Sequence, residues 1–157
     1  MCKMSAVGAE RAEVAVDLLR LAPRLVTEDG LRDRQHALLC IQEYQRFLTL
    51  AEVHRGVALT PSAAVEAVWE RHLLDTEAYF TDSEAVFGRG AYAHRFEHAQ
   101  GAGPNDCVYT TPEESFAATL KLYAARYGAP ACADVWGVAG KARPNTSQRP
   151  ALCGARS

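Results

Sequence analysis

The sequence predicts a single all-α domain, a compact bundle of about five helices. Apolar residues recur at helical spacing in several segments, the first formed by Val14, Leu18, Leu21 and Leu25. Residues typical of helix starts and stops bracket these segments, and no convincing strand is longer than the stretch around Cys107. A chain of 157 residues, 48% of them hydrophobic, is long enough to bury a core without disulfides or metals.

The first two helices are expected over residues 10–26 and 31–54. Pro23 should kink the first helix or end it near Ala22, because proline lacks the backbone N–H that a helix interior needs. The second helix carries one broad apolar stripe, and Gly56 is a suitable stop. As the longest element, it should be the central helix of the bundle.

A third and a fourth helix follow in close succession. Thr60 and Pro61 are the expected N-cap and first residue of the third helix. Asp75 and Thr76 offer a fresh cap, so the fourth helix should span about 76–87. The apolar face of the third helix comprises Val65, Val68, Trp69, His72 and Leu73. The buried side of the fourth should hold Tyr79, Phe80, Ser83, Val86 and Phe87.

The fifth helix has the clearest start signal in the chain. Thr111 is the expected cap, Pro112 the first helical residue, and Glu114 the residue that closes a capping box. Gly128 and Pro130 should end the helix. Its apolar stripe is Phe116, Leu120, Tyr123 and Tyr127.

Three segments lack a helical pattern, namely residues 1–9, 88–110 and 137–157. We expect residues 1–9 to be a frayed N-terminus, 10–136 to form the helical domain, and 137–157 to be a disordered basic tail. The tail contains no acid, and its basic residues are Lys141, Arg143, Arg149 and Arg156. Residues 88–110 form a long loop rich in glycine and histidine, which indicates a functional loop or an insertion.

Charge and cysteine content narrow the possible environments and partners. A formal net charge of −2 gives the protein as a whole no attraction to nucleic acid or anionic membranes. Five cysteines without a C-x-x-C pair indicate free thiols in a reducing compartment, so we expect a cytoplasmic protein. No apolar run approaches the roughly 18 residues that a membrane span requires.

The sequence contains no complete catalytic or metal-binding signature. His72 lies on an apolar face, where a histidine is typically a core residue with a local hydrogen-bond partner. His94 and His98, together with His72 and Cys107, supply the atom types of a tetrahedral zinc site, but their spacing matches no standard pattern. Asp75, Asp82 and Glu84 near Tyr79 are better explained as caps and solvated side chains. The candidate binding residues are Trp69, His72, Asp75, Tyr79, His94 and His98.

Three blocks of the chain carry a resemblance to a known family. They read EYQRFLTL (43–50), TPSAAVEAVWERHLLDTEAYFTDSEAVFG (60–88) and SFAATLKLYAARYGAP (115–130), followed by Trp136. In order and spacing they resemble the glycine-rich domain-containing protein-like family, plant proteins and short relatives of which most have no assigned activity. Where the family has the first histidine of W-H-x-H this chain has Glu70, and Ser83 replaces a cysteine. The resemblance therefore implies the fold more strongly than it implies a metal site, and we expect no bound zinc and no cofactor.

Three hypotheses for function remain. The leading one is a non-catalytic helical module that binds another protein through Trp69, His72, Tyr79 and the loop 88–110. The second is a small metal-dependent or hydrolytic enzyme that uses His72, His94, His98 and a nearby acid. The third is an RNA-associated protein that acts through its basic tail, which we do not expect because four charges without interleaved aromatics are a weak RNA-binding pattern.

Overall fold

The computed structural model describes residues 15–91, 111–128 and 131–137. Within these ranges 72% of the residues are helical and there is no strand, which confirms the predicted all-α class. A 3-10 turn over Leu19–Leu21 is followed by α1 (Ala22–Thr27), α2 (Arg34–Val53), α3 (Ala63–Leu74), α4 (Thr76–Phe87), α5 (Pro112–Tyr127) and α6 (Ala133–Trp136). The predicted frayed N-terminus, His94, His98 and the tail beyond Gly137 lie outside the described residues.

The first helix is shorter than predicted, and Pro23 begins it instead of ending it. α1 starts at Ala22, and Pro23 lies in its first turn. The backbone N–H groups of a first turn have no intrahelical acceptor, so the missing N–H of proline costs nothing there. The preceding residues form the 3-10 turn, in which the N–H of Leu21 donates to the carbonyl of Leu18 at 3.0 Å.

The long second helix is the central element of the bundle. Its N-cap is Asp33, whose side chain accepts a hydrogen bond from the N–H of His36 at 2.8 Å. The helix contacts α1, α3, α4, α5 and α6. It does so with nearly its whole circumference, which is why so many of its residues are buried: Ala37, Cys40, Ile41, Glu43, Tyr44, Phe47, Leu48, Thr49 and Leu50.

The predicted cap of the third helix was wrong by two residues. Ser62 is the cap, because its side chain accepts a hydrogen bond from the N–H of Val65 at 3.2 Å. Thr60 lies before the helix, and its N–H donates to Thr119 Oγ1 of α5 at 2.9 Å. Pro61 therefore precedes the cap, and Ser62 itself has the extended backbone that leads into the helix.

The bounds of α4 agree with the prediction, but one of its buried residues does not. Tyr79, Ser83 and Phe87 recur every four residues and are buried. Phe80 lies about 100° around the helix from Tyr79, and 51% of its surface is exposed. Asp75 occupies the N-cap position without a side-chain capping bond, because its carboxylate pairs with Arg20 instead.

The start of α5 agrees with the prediction in both hydrogen bonds of the capping box. The N–H of Glu114 donates to Thr111 Oγ1 at 3.2 Å, and the N–H of Thr111 donates to the Glu114 carboxylate at 2.8 Å. The helix ends at Gly128, whose φ of 67° lies in the left-handed region that glycine adopts without strain. The two hydrogen bonds of the capping box satisfy two of the backbone N–H donors that the start of a helix leaves unpaired.

Thr111→Ala is expected to lower the free energy of unfolding by about 0.5–2 kcal/mol, the usual cost of losing a cap. The buried residues Phe116 and Tyr123 follow on the same helix, so fraying at its start loosens the core. Thr110→Ala, which leaves the Thr111 hydroxyl in place, is the matched control. Urea denaturation of both variants checks the prediction, and a larger loss for Thr110→Ala would contradict it.

Within the described residues, no helix combines the length and the apolar character needed to cross a membrane.

Candidate functional site

The most prominent polar group inside the bundle is His72 at the end of α3, with 1% of its surface exposed. The turn at Asp75 brings the second turn of α4 against this end of α3. As a result, His72 Nε2 lies 3.0 Å from Asp82 Oδ2. On the other side of the ring, His72 Nδ1 lies 3.2 Å from the hydroxyl of Tyr44 on α2. One histidine thus connects three helices.

Burial and the neighbouring side chains together determine the protonation state of His72 and which ring nitrogen carries the proton. Burial is the main influence on its pKa and lowers it, while Asp82 acts in the opposite direction. Burial also raises the pKa of Tyr44 well above its usual value, so its hydroxyl is protonated and can donate. Because the Asp82 carboxylate only accepts, we assign the ring proton to Nε2. Tyr44 then donates to Nδ1, and Nε2–H donates to Asp82.

An arginine completes this network at the protein surface. Arg20 Nη2 donates to Asp82 Oδ2 at 2.8 Å, and Arg20 Nε lies 3.5 Å from Asp75 Oδ2. The hydrogen bond to Asp82 is the main reason that the pKa of Arg20 is raised. The Asp82 carboxylate therefore accepts hydrogen bonds from both the buried His72 ring and the partly exposed guanidinium of Arg20.

Aromatic rings enclose the histidine. Tyr79 meets the His72 ring edge-on at a centroid distance of 5.0 Å. Its hydroxyl accepts a hydrogen bond from Trp69 Nε1 at 3.4 Å, and Trp69 in turn packs on Phe47 of α2 at 6.0 Å. These rings bury the His72 side chain and limit the orientations available to it.

A second polar cluster, on the α5–α6 side of α2, was not predicted. Glu43 is 1% exposed. Its carboxylate accepts hydrogen bonds from Tyr123 at 3.1 Å, Arg46 at 3.0 Å and Trp136 Nε1 at 2.8 Å. The signal was present in the sequence, since Glu43 follows Cys40 by three residues and therefore shares the apolar face of α2. A charged residue on such a face requires partners.

The remaining candidates have less to offer chemically. Cys40 lies 3.7 Å from His36 through its sulfur, but burial raises the pKa of its thiol to about 11. A thiol with that pKa is neither a nucleophile nor a ready metal ligand at neutral pH. Residues 15–91, 111–128 and 131–137 include no group of three or more His, Cys, Asp or Glu side chains placed to hold a metal.

The structure brings together three of the six predicted binding residues. Trp69, His72 and Tyr79 form one contiguous buried cluster, so a partner molecule cannot contact them directly. Asp75 is exposed and lies beside them through its pairing with Arg20. His94 and His98 belong to the part of the chain that the structure does not describe.

Comparisons with known proteins add no relative. No family model, no curated protein and no solved structure matches the chain.

The arrangement around His72 suits a structural role better than proton transfer. A catalytic histidine uses one ring nitrogen to exchange a proton with the substrate and the other to hold its orientation. Here Tyr44 and Asp82 occupy both nitrogens, and the ring is buried. The hydrogen bonds instead fix the relative positions of α2, α3 and α4.

The lowered pKa of His72 predicts that stability falls in mild acid. Below the ordinary value of 6.5 the unfolded chain binds a proton that the folded chain does not, so the free energy of unfolding decreases until the pH reaches the folded pKa. Above 6.5 this contribution is constant. One such proton changes stability by at most about 1.4 kcal/mol per pH unit.

The prediction is tested by measuring the free energy of unfolding in urea for wild type and His72→Gln between about pH 5 and pH 8. The wild type should have the steeper dependence on pH, and His54→Gln, at the end of α2, is the control for titration of other histidines. Equal slopes in wild type and His72→Gln would contradict the prediction. A wild type that gains stability in acid would mean that Asp82 outweighs burial.

Proposed function

We propose that this chain is a non-catalytic helical module that binds another protein. The observation that carries the proposal is the contrast between polar and apolar groups at one corner of the bundle. Where α3 meets α4, Asp75 and Asp82 pair with Arg20, whereas the apolar side chains of Leu74 and Phe80 are 73% and 51% exposed. Exposed large apolar side chains grouped in one place are typical of protein interaction sites.

The His72 network supports binding over catalysis. Both ring nitrogens are already hydrogen-bonded, and the pKa of Tyr44 is raised well above its usual value. Neither residue therefore offers a group that could accept a proton from a substrate at neutral pH. What the network does provide is a rigid base for the end of α3 and the start of α4, and rigid surfaces lose less entropy on binding.

We place the binding surface at the α3–α4 corner, defined as Leu74, Asp75, Glu77, Phe80 and Glu84. All five residues are exposed. Trp69, His72 and Tyr79 lie beneath this surface and hold its backbone in place. In this proposal those candidates act by shaping the surface, and Asp75 is the one that a partner touches.

Affinity purification from the native cells tests the proposal with matched variants. A tagged wild-type chain is compared by quantitative mass spectrometry with Leu74→Ser and with Val57→Ser, which alters another exposed apolar residue (42% exposed) in the segment between α2 and α3. We expect a protein that wild type and Val57→Ser capture and that Leu74→Ser loses. Capture unaffected by Leu74→Ser would refute the proposed surface.

We also propose that the chain is a member of the glycine-rich domain-containing protein-like family and is cytoplasmic. Four residues of the family-like pattern, Trp69, His72, Tyr79 and Asp82, contact one another, which supports reading the pattern as one structural unit. Glu70, in place of a histidine, is exposed, and Ser83, in place of a cysteine, is buried. Fluorescence microscopy of the tagged chain tests the location.

A further inference from the structure

We infer that the partner presents a basic amphipathic segment, one that combines lysine or arginine with apolar side chains, to the α3–α4 corner. This inference rests on the proposed function and names the chemistry of its partner. Its evidence is the charge around the exposed apolar residues and the order of those residues on α4.

The charge at this corner is strongly negative. Residues 70–84 contain five carboxylates and one arginine. That arginine, Arg71, pairs with two carboxylates outside this segment, Asp29 at 2.7 Å and Glu28 at 2.7 Å, so its charge is already compensated there. Three of these carboxylates, Asp75, Glu77 and Glu84, belong to the α3–α4 corner itself, and the other two, Glu70 and Asp82, are their neighbours in the chain.

Only part of this negative charge is compensated by Arg20. Its single guanidinium group forms ion pairs with both Asp75 and Asp82. Glu84 accepts a hydrogen bond from the backbone N–H of Gly90 at 3.1 Å, a neutral donor that leaves its charge in place. The exposed outer surface of α4 therefore retains a negative potential that attracts cations.

Apolar and acidic side chains alternate along the outer surface of α4. Glu77, Phe80 and Glu84 are three and four residues apart, so the Phe80 ring has a carboxylate about one helical turn to either side. The ring is 51% exposed, and the face of an aromatic ring attracts lysine and arginine. Leu74, just before the first turn of α4, adds an apolar contact for the same partner.

Charge also argues against the other occupants of such a surface. A second copy of the chain that used the same corner would place carboxylates opposite carboxylates. Anionic lipid and nucleic acid would be repelled for the same reason. A basic segment with apolar residues is complementary both to the carboxylates and to Leu74 and Phe80.

Fluorescence anisotropy with designed helical peptides tests the inference. The probe is a labelled peptide with leucine and lysine at helical spacing, and the comparison peptides replace all lysines by glutamate or all leucines by serine. The full chain should bind the leucine–lysine peptide at least about tenfold more tightly than either comparison peptide. Added salt should weaken that binding.

Glu77→Lys and Glu113→Lys are a matched pair of variants. Both residues are exposed glutamates in the first turn of a helix, one in α4 and one in α5, so both substitutions remove the same favourable interaction with a helix dipole. Glu77→Lys should weaken the peptide at least about fivefold, with little change for Glu113→Lys. Equal effects of the two substitutions would indicate unspecific attraction and overturn the inference.

Two results separate this inference from the function on which it rests. If the leucine–lysine peptide does not bind while capture from cells still depends on Leu74, the partner is not basic and the inference fails alone. If capture does not depend on Leu74, the proposed surface fails as well. Equal binding of the leucine–glutamate peptide would also overturn the inference.

Discussion

Glu43→Ala is expected to lower the free energy of unfolding by about 2–6 kcal/mol, because it leaves two buried donors without an acceptor at about 1–3 kcal/mol each. The substitution leaves the Tyr123 hydroxyl and Trp136 Nε1 without their acceptor inside the core. It also leaves Arg46 without its carboxylate. Because these donors come from three elements, the loss affects the attachment of α5 and α6 to α2. Chemical denaturation of the purified variant measures it.

Glu43→Gln is the informative control for this substitution. Glutamine retains an oxygen that can accept from Tyr123 and Arg46, but its amide then points N–H groups at the donor Trp136 Nε1. We expect a loss between those of wild type and Glu43→Ala. A loss below about 1 kcal/mol for Glu43→Ala would mean that water replaces the carboxylate and that the cluster contributes little.

Trp69→Ala is the second substitution with a large expected effect, a loss of about 3–5 kcal/mol. The indole is buried, packs on Phe47 and donates to the hydroxyl of Tyr79. Its removal leaves a cavity beside His72 and withdraws one of the contacts that position Tyr79. Thermal or urea unfolding provides the measurement.

Trp69→Phe separates the two contributions, since it keeps an aromatic ring against Phe47 and removes only the N–H donor. We expect it to retain most of the stability, because the bond to Tyr79 is long at 3.4 Å. If Trp69→Ala folds with almost wild-type stability, the indole is not part of the core and instead is available to a partner.

The local signals in the sequence predicted those parts of the fold that depend on neighbouring residues. The capping box of Thr111 and Glu114 and the span of α4 depend on residues a few positions apart, and both predictions were confirmed. The cap of α3 was wrong because Ser62 competes with Thr60, and a long-range bond to Thr119 holds Thr60 outside the helix. Apolar periodicity cannot show which of two candidate residues caps a helix when a hydrogen bond to a distant helix determines the outcome.

The same distinction applies to the candidate site. The sequence could indicate that His72 has a partner, because a polar residue on an apolar face needs one. It could not identify Tyr44 and Asp82, which lie 28 and 10 residues away and meet His72 only after α2, α3 and α4 have packed. The burial of Glu43 could have been inferred in the same way from its place on the apolar face of α2, but its partners Tyr123 and Trp136, 80 and 93 residues along the chain, could not.

The bond between Glu43 and Trp136 has a consequence for synthesis of the chain. The two residues are 93 positions apart. During synthesis, α2 therefore leaves the ribosome long before the Trp136 indole that donates to its buried carboxylate. Until residue 136 has emerged, a carboxylate that ends up in the core keeps its hydration, and that side of α2 cannot close without a penalty. Final packing of α2 therefore has to wait for the four-residue helix α6, which makes the closing of the core a late event in folding.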